Sequence, residues 1–255
     1  MTPTQNRLQG LALILILAFA LAGCGGDDPA SPSGGNPTGD AMDESTAISQ
    51  APLNTAQAVS LVESMSTLVD GVGNKNYGWD ENNQMWVYDY SWNQNGYTYN
   101  WRYTTQYLDA AGDPQQSANG AVEVLHDMTG TGSYSLNQTG YSYTYAYTYE
   151  YNTHFMGLGS SLVTMTGSGG TDIQADVSVN GIQQSSSYIM NWATQGDGIT
   201  WADGGCPSGT IRYDMNPYHL DVVFNGTGTV TSTLYNGSGG TVSGGGSTQN
   251  VSCGS

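Results

Sequence analysis

Three cysteines, three histidines and a set of alternating rings are the residues of this chain whose types and spacing could do chemistry. His126-Asp127 offers a general base beside a carboxylate, yet neighbours in an extended strand point to opposite faces, so the two are badly placed to act as a pair. His154 and His219 stand alone in sequence, and all three histidines read as exposed or satisfied residues of a β-protein. Asp197 and Asp203 sit among glycines that could shape a calcium loop, but the alternate acidic ligands and closing Glu of such a loop are missing, and turn composition accounts for them equally well. No serine is flanked by glycines two positions before and after it, and no phosphate-loop, dinucleotide or zinc-helix pattern occurs. The reading is therefore of a non-enzymatic protein with no catalytic residue, no metal site and no cofactor.

Cys24 calls for different chemistry. It follows a basic residue, Arg7, an uncharged apolar run from Leu11 to Ala22, and the small residues Ala22-Gly23, which is the layout of a secretory signal. The run is too short for the roughly 20 residues that span a bilayer as a helix. Leu21-Ala22-Gly23-Cys24 resembles the lipobox of bacterial lipoprotein precursors; the alternative is an ordinary secretory signal that happens to contain a cysteine. The resemblance implies a diacylglyceryl thioether on Cys24, cleavage before it and acylation of the new amino terminus. It implies nothing about the fold. Several acyl chains at one site suffice for stable anchoring, at about 0.8 kcal/mol per buried methylene. Gly25, in the position where an Asp would hold a Gram-negative lipoprotein at the inner membrane, implies the outer membrane, with the side left open.

The segmentation that follows is a signal peptide over 1–23, a lipidated Cys24 with a Gly-, Pro-, Ser- and Asp-rich tether over 24–45, and one domain over 46–255. All 21 acidic residues follow Cys24, against Lys75, Arg102 and Arg212, in a chain of formal net charge −17. Such a surface repels phosphate backbones, which argues against nucleic acid as a partner. With Cys24 lipidated, Cys206 and Cys253 remain as a pair for an oxidising compartment, where closing their loop contributes about 4 kcal/mol in the chain-entropy model. Free thiols or a metal pair are the alternatives, but the two residues lack the close spacing of zinc ligands.

The elements that position these residues are a helix and many strands. Asn54 and Gln57 resemble a capping pair, Leu53 and Ala58 form the apolar staple across it, and Gly71 supplies the stop. Between them Ala58, Leu61, Val62, Met65, Leu68, Val69 and Val72 keep the three-and-four spacing of one buried stripe. From Met85 the period becomes two. Trp86, Tyr88, Tyr90 and Trp92 alternate with Val87, Asp89 and Ser91, then Tyr97, Tyr99, Trp101 and Tyr103 alternate with Thr98, Asn100 and Arg102 across Asn95-Gly96. A two-residue turn there pairs Trp92 with Tyr99, Tyr90 with Trp101 and Tyr88 with Tyr103, and sets Asp89 opposite Arg102 on the other face. Tyr141, Tyr143, Tyr145, Tyr147, Tyr149 and Tyr151 share one face of another strand, and Asn180-Gly181, Asn225-Gly226 and Asn236-Gly237 mark further turns.

The expected fold is mainly β (α+β): a single antiparallel meander of roughly eight to eleven strands, curved or half-barrel, with one amphipathic N-terminal helix packed on it. Function is then expected at the membrane. The leading reading is a lipid-anchored, non-catalytic envelope lipoprotein that binds or builds through the aromatic face. Its partner would be a glycan, a lipid or an envelope protein, and burial of the face as core is the competing reading. The alternative is a carrier for a lipidic ligand, with the helix as lid over an apolar groove.

Overall fold

The computed structural model describes residues 40–69, 77–202 and 205–253; within the helix, nothing is said of the side chains of residues 65–69. Cys24, Gly71, Val72 and Asp203 lie outside the described residues.

Among the described residues one helix, α1 (Glu44–Val69), precedes thirteen strands. These are β1 (Gly78–Asp80), β2 (Met85–Gln94), β3 (Tyr97–Leu108), β4 (Pro114–Gln115), β5 (Glu123–Gln138), β6 (Tyr141–Met156) and β7 (Leu162–Val179). They continue with β8 (Ile182–Thr194), β9 (Ile199–Ala202), β10 (Ser208–Met215), β11 (Tyr218–Asn225), β12 (Thr229–Tyr235) and β13 (Ser247–Asn250). All belong to one antiparallel sheet with the order β1-β2-β3-β5-β6-β7-β8-β10-β11-β12-β13. β4 is added to β3, and β9 bridges β7 and β10. The sheet does not close into a barrel. The meander expectation holds; the expected number of strands matches the main path, and the short β4 and β9 lie off it.

Register follows the turns that the sequence marks. Asn95 and Gly96 both take positive φ, as do Asn180 and Gly181, the conformation of a two-residue turn whose twist suits a hairpin. Trp92 accordingly faces Tyr99, Tyr90 faces Trp101, Tyr88 faces Tyr103 and Asp89 faces Arg102. Asn225-Gly226 and Asn236-Gly237 do end strands, but in each of them the Asn keeps negative φ and the loop is longer.

Strand alternation sorts the sheet into two faces. One register row of the inner face runs Tyr88, Tyr103, Met128, Tyr151, Gly169, Trp192, Tyr213, Leu220 and Leu234 across nine strands. Toward β10–β12 this face is aliphatic, with Ile211, Met215, Val222, Phe224 and Val230 buried; toward β2–β6 it is aromatic. The rings are accommodated by glycines. A Cβ on Gly132 would overlap the Tyr147 ring, one on Gly130 would meet Trp101 at 3.1 Å, and one on Gly169 would crowd Tyr151 at 2.8 Å.

The helix departs from expectation at its start. Asp43 caps it, its carboxylate accepting from the Thr46 N–H at 2.8 Å, the Thr46 hydroxyl at 2.7 Å and the Ser45 hydroxyl at 2.6 Å. Burial of Asp43 opposes its ionisation, but these hydrogen bonds prevail and hold the carboxyl below its usual range. Asn54, expected as the cap, is instead buried mid-helix, its amide 3.2 Å from the Met215 sulfur. Pro52 lies inside the helix and removes one backbone bond, a loss of about 3 kcal/mol that helix burial offsets. That burial comes from Ala47, Ala51, Thr55 and Ala58, small residues that let α1 approach β10–β13 closely, and it continues through the expected stripe at Leu61 and Val62. Asp40, the first described residue, already bonds to Ser187, its N–H donating to the Ser187 carbonyl at 2.6 Å.

Cys206 and Cys253 form a disulfide. It ties the start of β10 to the end of the chain, and Ser247–Asn250 pairs with β12 as an edge strand.

Substituting Gly132 with Ala is expected to destabilise the domain by about 1–3 kcal/mol through overpacking against Tyr147. Gly78→Ala, which meets nothing within 4 Å, serves as the control. Equal urea midpoints for the two variants would show that the ring does not rest on Gly132.

Candidate functional site

The eight ladder residues Trp86, Tyr88, Tyr90, Trp92, Tyr97, Tyr99, Trp101 and Tyr103 are all brought onto one face of β2 and β3, and every one of them is half-buried. Their neighbours on β6, Tyr145 and Tyr147, are buried, so the ladder forms the accessible margin of a ring-filled core. Rings lie nearly parallel along it: Trp101 and Tyr103 at 12° with centroids 6.4 Å apart, Tyr97 and Tyr99 at 13° and 6.3 Å, Trp92 and Tyr99 at 25° and 5.5 Å. Tyr97 also stacks on Tyr134 of β5 at 4.2 Å. Flat, partly exposed rings can stack on a planar or apolar ligand face, although the Tyr99 hydroxyl is itself buried without a partner.

The helix does not roof this ladder. It packs on β10–β13, and its Gln57 amide donates to the Tyr149 hydroxyl at the inner end of the ring layer. The carrier reading has the helix as lid over an apolar groove; in the structure the helix lies on the aliphatic half, against β10–β13.

The opposite face carries a groove of ≈ 770 Å³ that sequence reasoning missed. Its side chains come from two outer rows: Asp89, Arg102, Thr129, Glu150 and Asn191, and Ser91, Asn100, Thr131, Thr148 and Asp172. The signal was available, since these are the residues that alternate with the tyrosines, but without the curvature of the sheet they read as an ordinary wet face. Arg102 spans both carboxylate oxygens of Asp89 at 3.1 and 3.0 Å. Arg212 grips Asp221 in the same way at 2.7 and 2.9 Å. Among the described residues both arginines are thus held by the aspartate directly across the ladder. The exposed Asp89–Arg102 pair is worth little in stability, whereas Arg212–Asp221 is part-buried; each neutralises a carboxylate on an acidic face.

None of the histidines assembles a catalytic set. His126 is buried on the ring face, its Nδ1 2.9 Å from the Thr105 hydroxyl and its Nε2 2.9 Å from the Tyr151 hydroxyl. Asp127 points to the other face, and burial raises its pKa while the Thr104 hydroxyl opposes that. His154 pairs with Glu123 at 2.7 Å across β5 and β6, and His219 stacks on Tyr235 at 12°. Asp197 lies in the turn between β8 and β9. No group of three metal-binding side chains occurs among the described residues.

The more deeply buried phenols of the ring layer are held protonated. Burial, then the neighbouring Tyr88, pushes Tyr103 up to about 12. Burial likewise raises Tyr77, Tyr145, Tyr147, Tyr149, Tyr151 and Tyr213, with Gln57 partly opposing it at Tyr149. Unfolded phenols ionise near 10, so above that pH the native state retains protons that the unfolded chain has lost. The stabilisation is complete below pH 10 and disappears as pH rises toward the native values. An alkaline titration read at 295 nm is therefore expected to show delayed phenolate formation that coincides with loss of near-ultraviolet dichroism. Full ionisation near pH 10 with the dichroism intact would contradict the packing described.

A scan of protein-family models, a search of curated proteins and a search of solved structures each return no match for this chain.

Proposed function

We propose that the protein is a lipid-anchored envelope lipoprotein whose half-exposed aromatic ladder binds glycan by ring stacking, without catalysis. The observation that carries this is the uniform partial exposure of eight rings on two adjacent strands, at the margin of a face in which Tyr145 and Tyr147 are buried. A core would bury them and a merely solvated strand would not repeat them. Sugar rings offer flat C–H faces for stacking and hydroxyls for the phenol tips and the Trp indoles. They also carry no charge that a chain of net −17 would repel. Anchoring rests on the Leu21–Cys24 motif, which supplies the thiol for acylation.

Trp101→Ala removes the ring that stacks on Tyr103 and contacts both Tyr147 and Tyr149. It is expected to weaken binding to soluble envelope-glycan fragments about tenfold, equivalent to ~1.4 kcal/mol. Trp92→Ala, at the outer end of the ladder, gives the same readout should the first variant unfold. Unchanged binding in a folded variant, or no glycan bound by the parent protein, would overturn the assignment.

The anchor has its own test. Cys24→Ser is expected to abolish incorporation of a fatty-acid probe and to release the protein from membranes, and continued labelling would place the lipid elsewhere or nowhere.

A further inference from the structure

β5, β6 and β7 run for 16, 16 and 18 residues, whereas β10, β11 and β12 run for 8, 8 and 7. β8 pairs with β10 only over Asn191–Thr194, so residues 182–190 of β8 and the matching parts of its neighbours continue as an arm beyond the helix-covered core. At about 3.3 Å per residue the arm extends roughly 30 Å. The hairpin turns at Asn95-Gly96, Gly140 and Asn180-Gly181 all lie at its free end.

That end has an unusual surface. Tyr141 pairs with Val179 and Val179 with Ile182, placing three apolar side chains side by side on the ring-bearing face. They are 38%, 46% and 72% exposed, and Val177 and Gln184 join Val179 and Ile182 around a small notch behind them. In a chain with 21 acidic residues, none occurs in 90–101, 128–149 or 177–196, nor does any basic residue. Asp176, the nearest carboxylate to the tip, faces the other side and accepts from the Ser185 hydroxyl at 2.6 Å.

Residues 40–42, the first described, lie along this arm. The Met42 N–H donates to the Asn216 carbonyl at 2.7 Å, where β10 has ended. Two residues earlier the Asp40 N–H donates to the Ser187 carbonyl at 2.6 Å, and the Asp40 carboxylate accepts from the Ser187 N–H at 3.0 Å. Traced backward, residues 42 to 40 thus move along the arm toward its tip, and Ser187 lies five residues from Ile182. Cys24 precedes Asp40 by sixteen residues, a contour of at most about 55 Å.

We infer that the arm tip, through Tyr141, Val179 and Ile182, seats in the headgroup–hydrocarbon boundary of the bilayer to which Cys24 is anchored. This rests on the lipoprotein reading and adds an orientation to it. Aliphatic residues beside tyrosines, free of charge, suit that boundary, whose polar side tolerates phenol hydroxyls and whose inner side takes Val and Ile. The acidic remainder then points away from the headgroups.

The test uses the full chain carrying Ile182→Cys or, at the opposite end, Ser161→Cys, each labelled with an environment-sensitive fluorophore and reconstituted into phosphatidylcholine vesicles. With Cys206 and Cys253 joined and Cys24 held as the thioether, the introduced thiol is the reactive one, and the unsubstituted chain carried through the same labelling corrects for any Cys24 left free. The expected result is a blue-shifted emission at position 182, quenched by spin-labelled lipid, and a water-like emission at 161. Equal, water-like emission at both positions overturns the inference. A blue shift at 182 that spin-labelled lipid does not quench also overturns it, because it identifies a second protein copy as the occupant. The mass of the peptide containing Cys24, measured on the same sample, separates the two layers. A missing fatty acid refutes the anchor, while lipid quenching at 182 still decides the fate of the tip.

Discussion

Rings resting on glycines are the constraint from which the rest of this structure follows. In β5 the inward positions read Met128, Gly130, Gly132 and Tyr134, and the two glycines lie where Trp101 and Tyr147 lean over the strand. Gly169 performs the same service for Tyr151 and Trp192 on β7. Each glycine weakens its own strand by roughly 0.5–1 kcal/mol relative to Ala, yet without it two large side chains cannot lie flat across adjacent strands. Because side chains alternate, a slip of one residue would turn every ring outward and every Thr or Ser inward. Ring and glycine therefore lock the register jointly, and the Asn-Gly turns need only start it.

The inner face is divided by chemistry, and the division explains where the helix goes. Against β10–β13 the helix presents alanines and threonines, which suit a flat aliphatic surface of Ile211, Leu220, Val222 and Leu234. Over β2–β6 the sheet is covered by its own rings, which leave no shallow furrow for a helix to enter. α1 touches that region through the Gln57 amide, which satisfies the deeply buried Tyr149 hydroxyl. His126 serves in the same manner one row along, joining Thr105 and Tyr151. The residue that looks most catalytic in the sequence thus supplies polar satisfaction within an aromatic core, where an unpaired hydroxyl would cost about 1–3 kcal/mol.

Much of this was legible in the sequence, and unevenly so for physical reasons. The β2–β3 register could be derived because three independent signals, a turn dipeptide, ring alternation and the Asp89–Arg102 pair, coincide on it. The disulfide followed from cysteine arithmetic. The helix start did not, because Pro52 and the cap-like Asn54 outweigh Asp43 in any local reading, and only packing on β10–β13 shows that the Asp43–Ala51 turns are worth forming. The polar groove was invisible for a different reason: concavity belongs to the twist of many strands, whereas each contributing strand displays only an ordinary row of Thr, Asn and Asp. Nor could a single sequence tell that the ladder would be neither core nor free surface.

The half-exposed ladder and the protruding arm share one cause. A long meander gains cross-strand pairs with every residue added, but its outer parts reach beyond any element that could cover them. Aliphatic residues there would create a sticky patch, and charged residues could not stack. Tyrosine and tryptophan ease the conflict, since they pack edge and face against each other across adjacent strands. At the very tip the solution changes, with Val179 and Ile182 replacing rings at the positions least able to be covered by the protein itself. A sheet that tolerated those side chains only as accidents would be expected to scatter them. Their alignment in one register row, at the end of the arm along which residues 42 to 40 run, is the observation on which the inferred membrane contact rests.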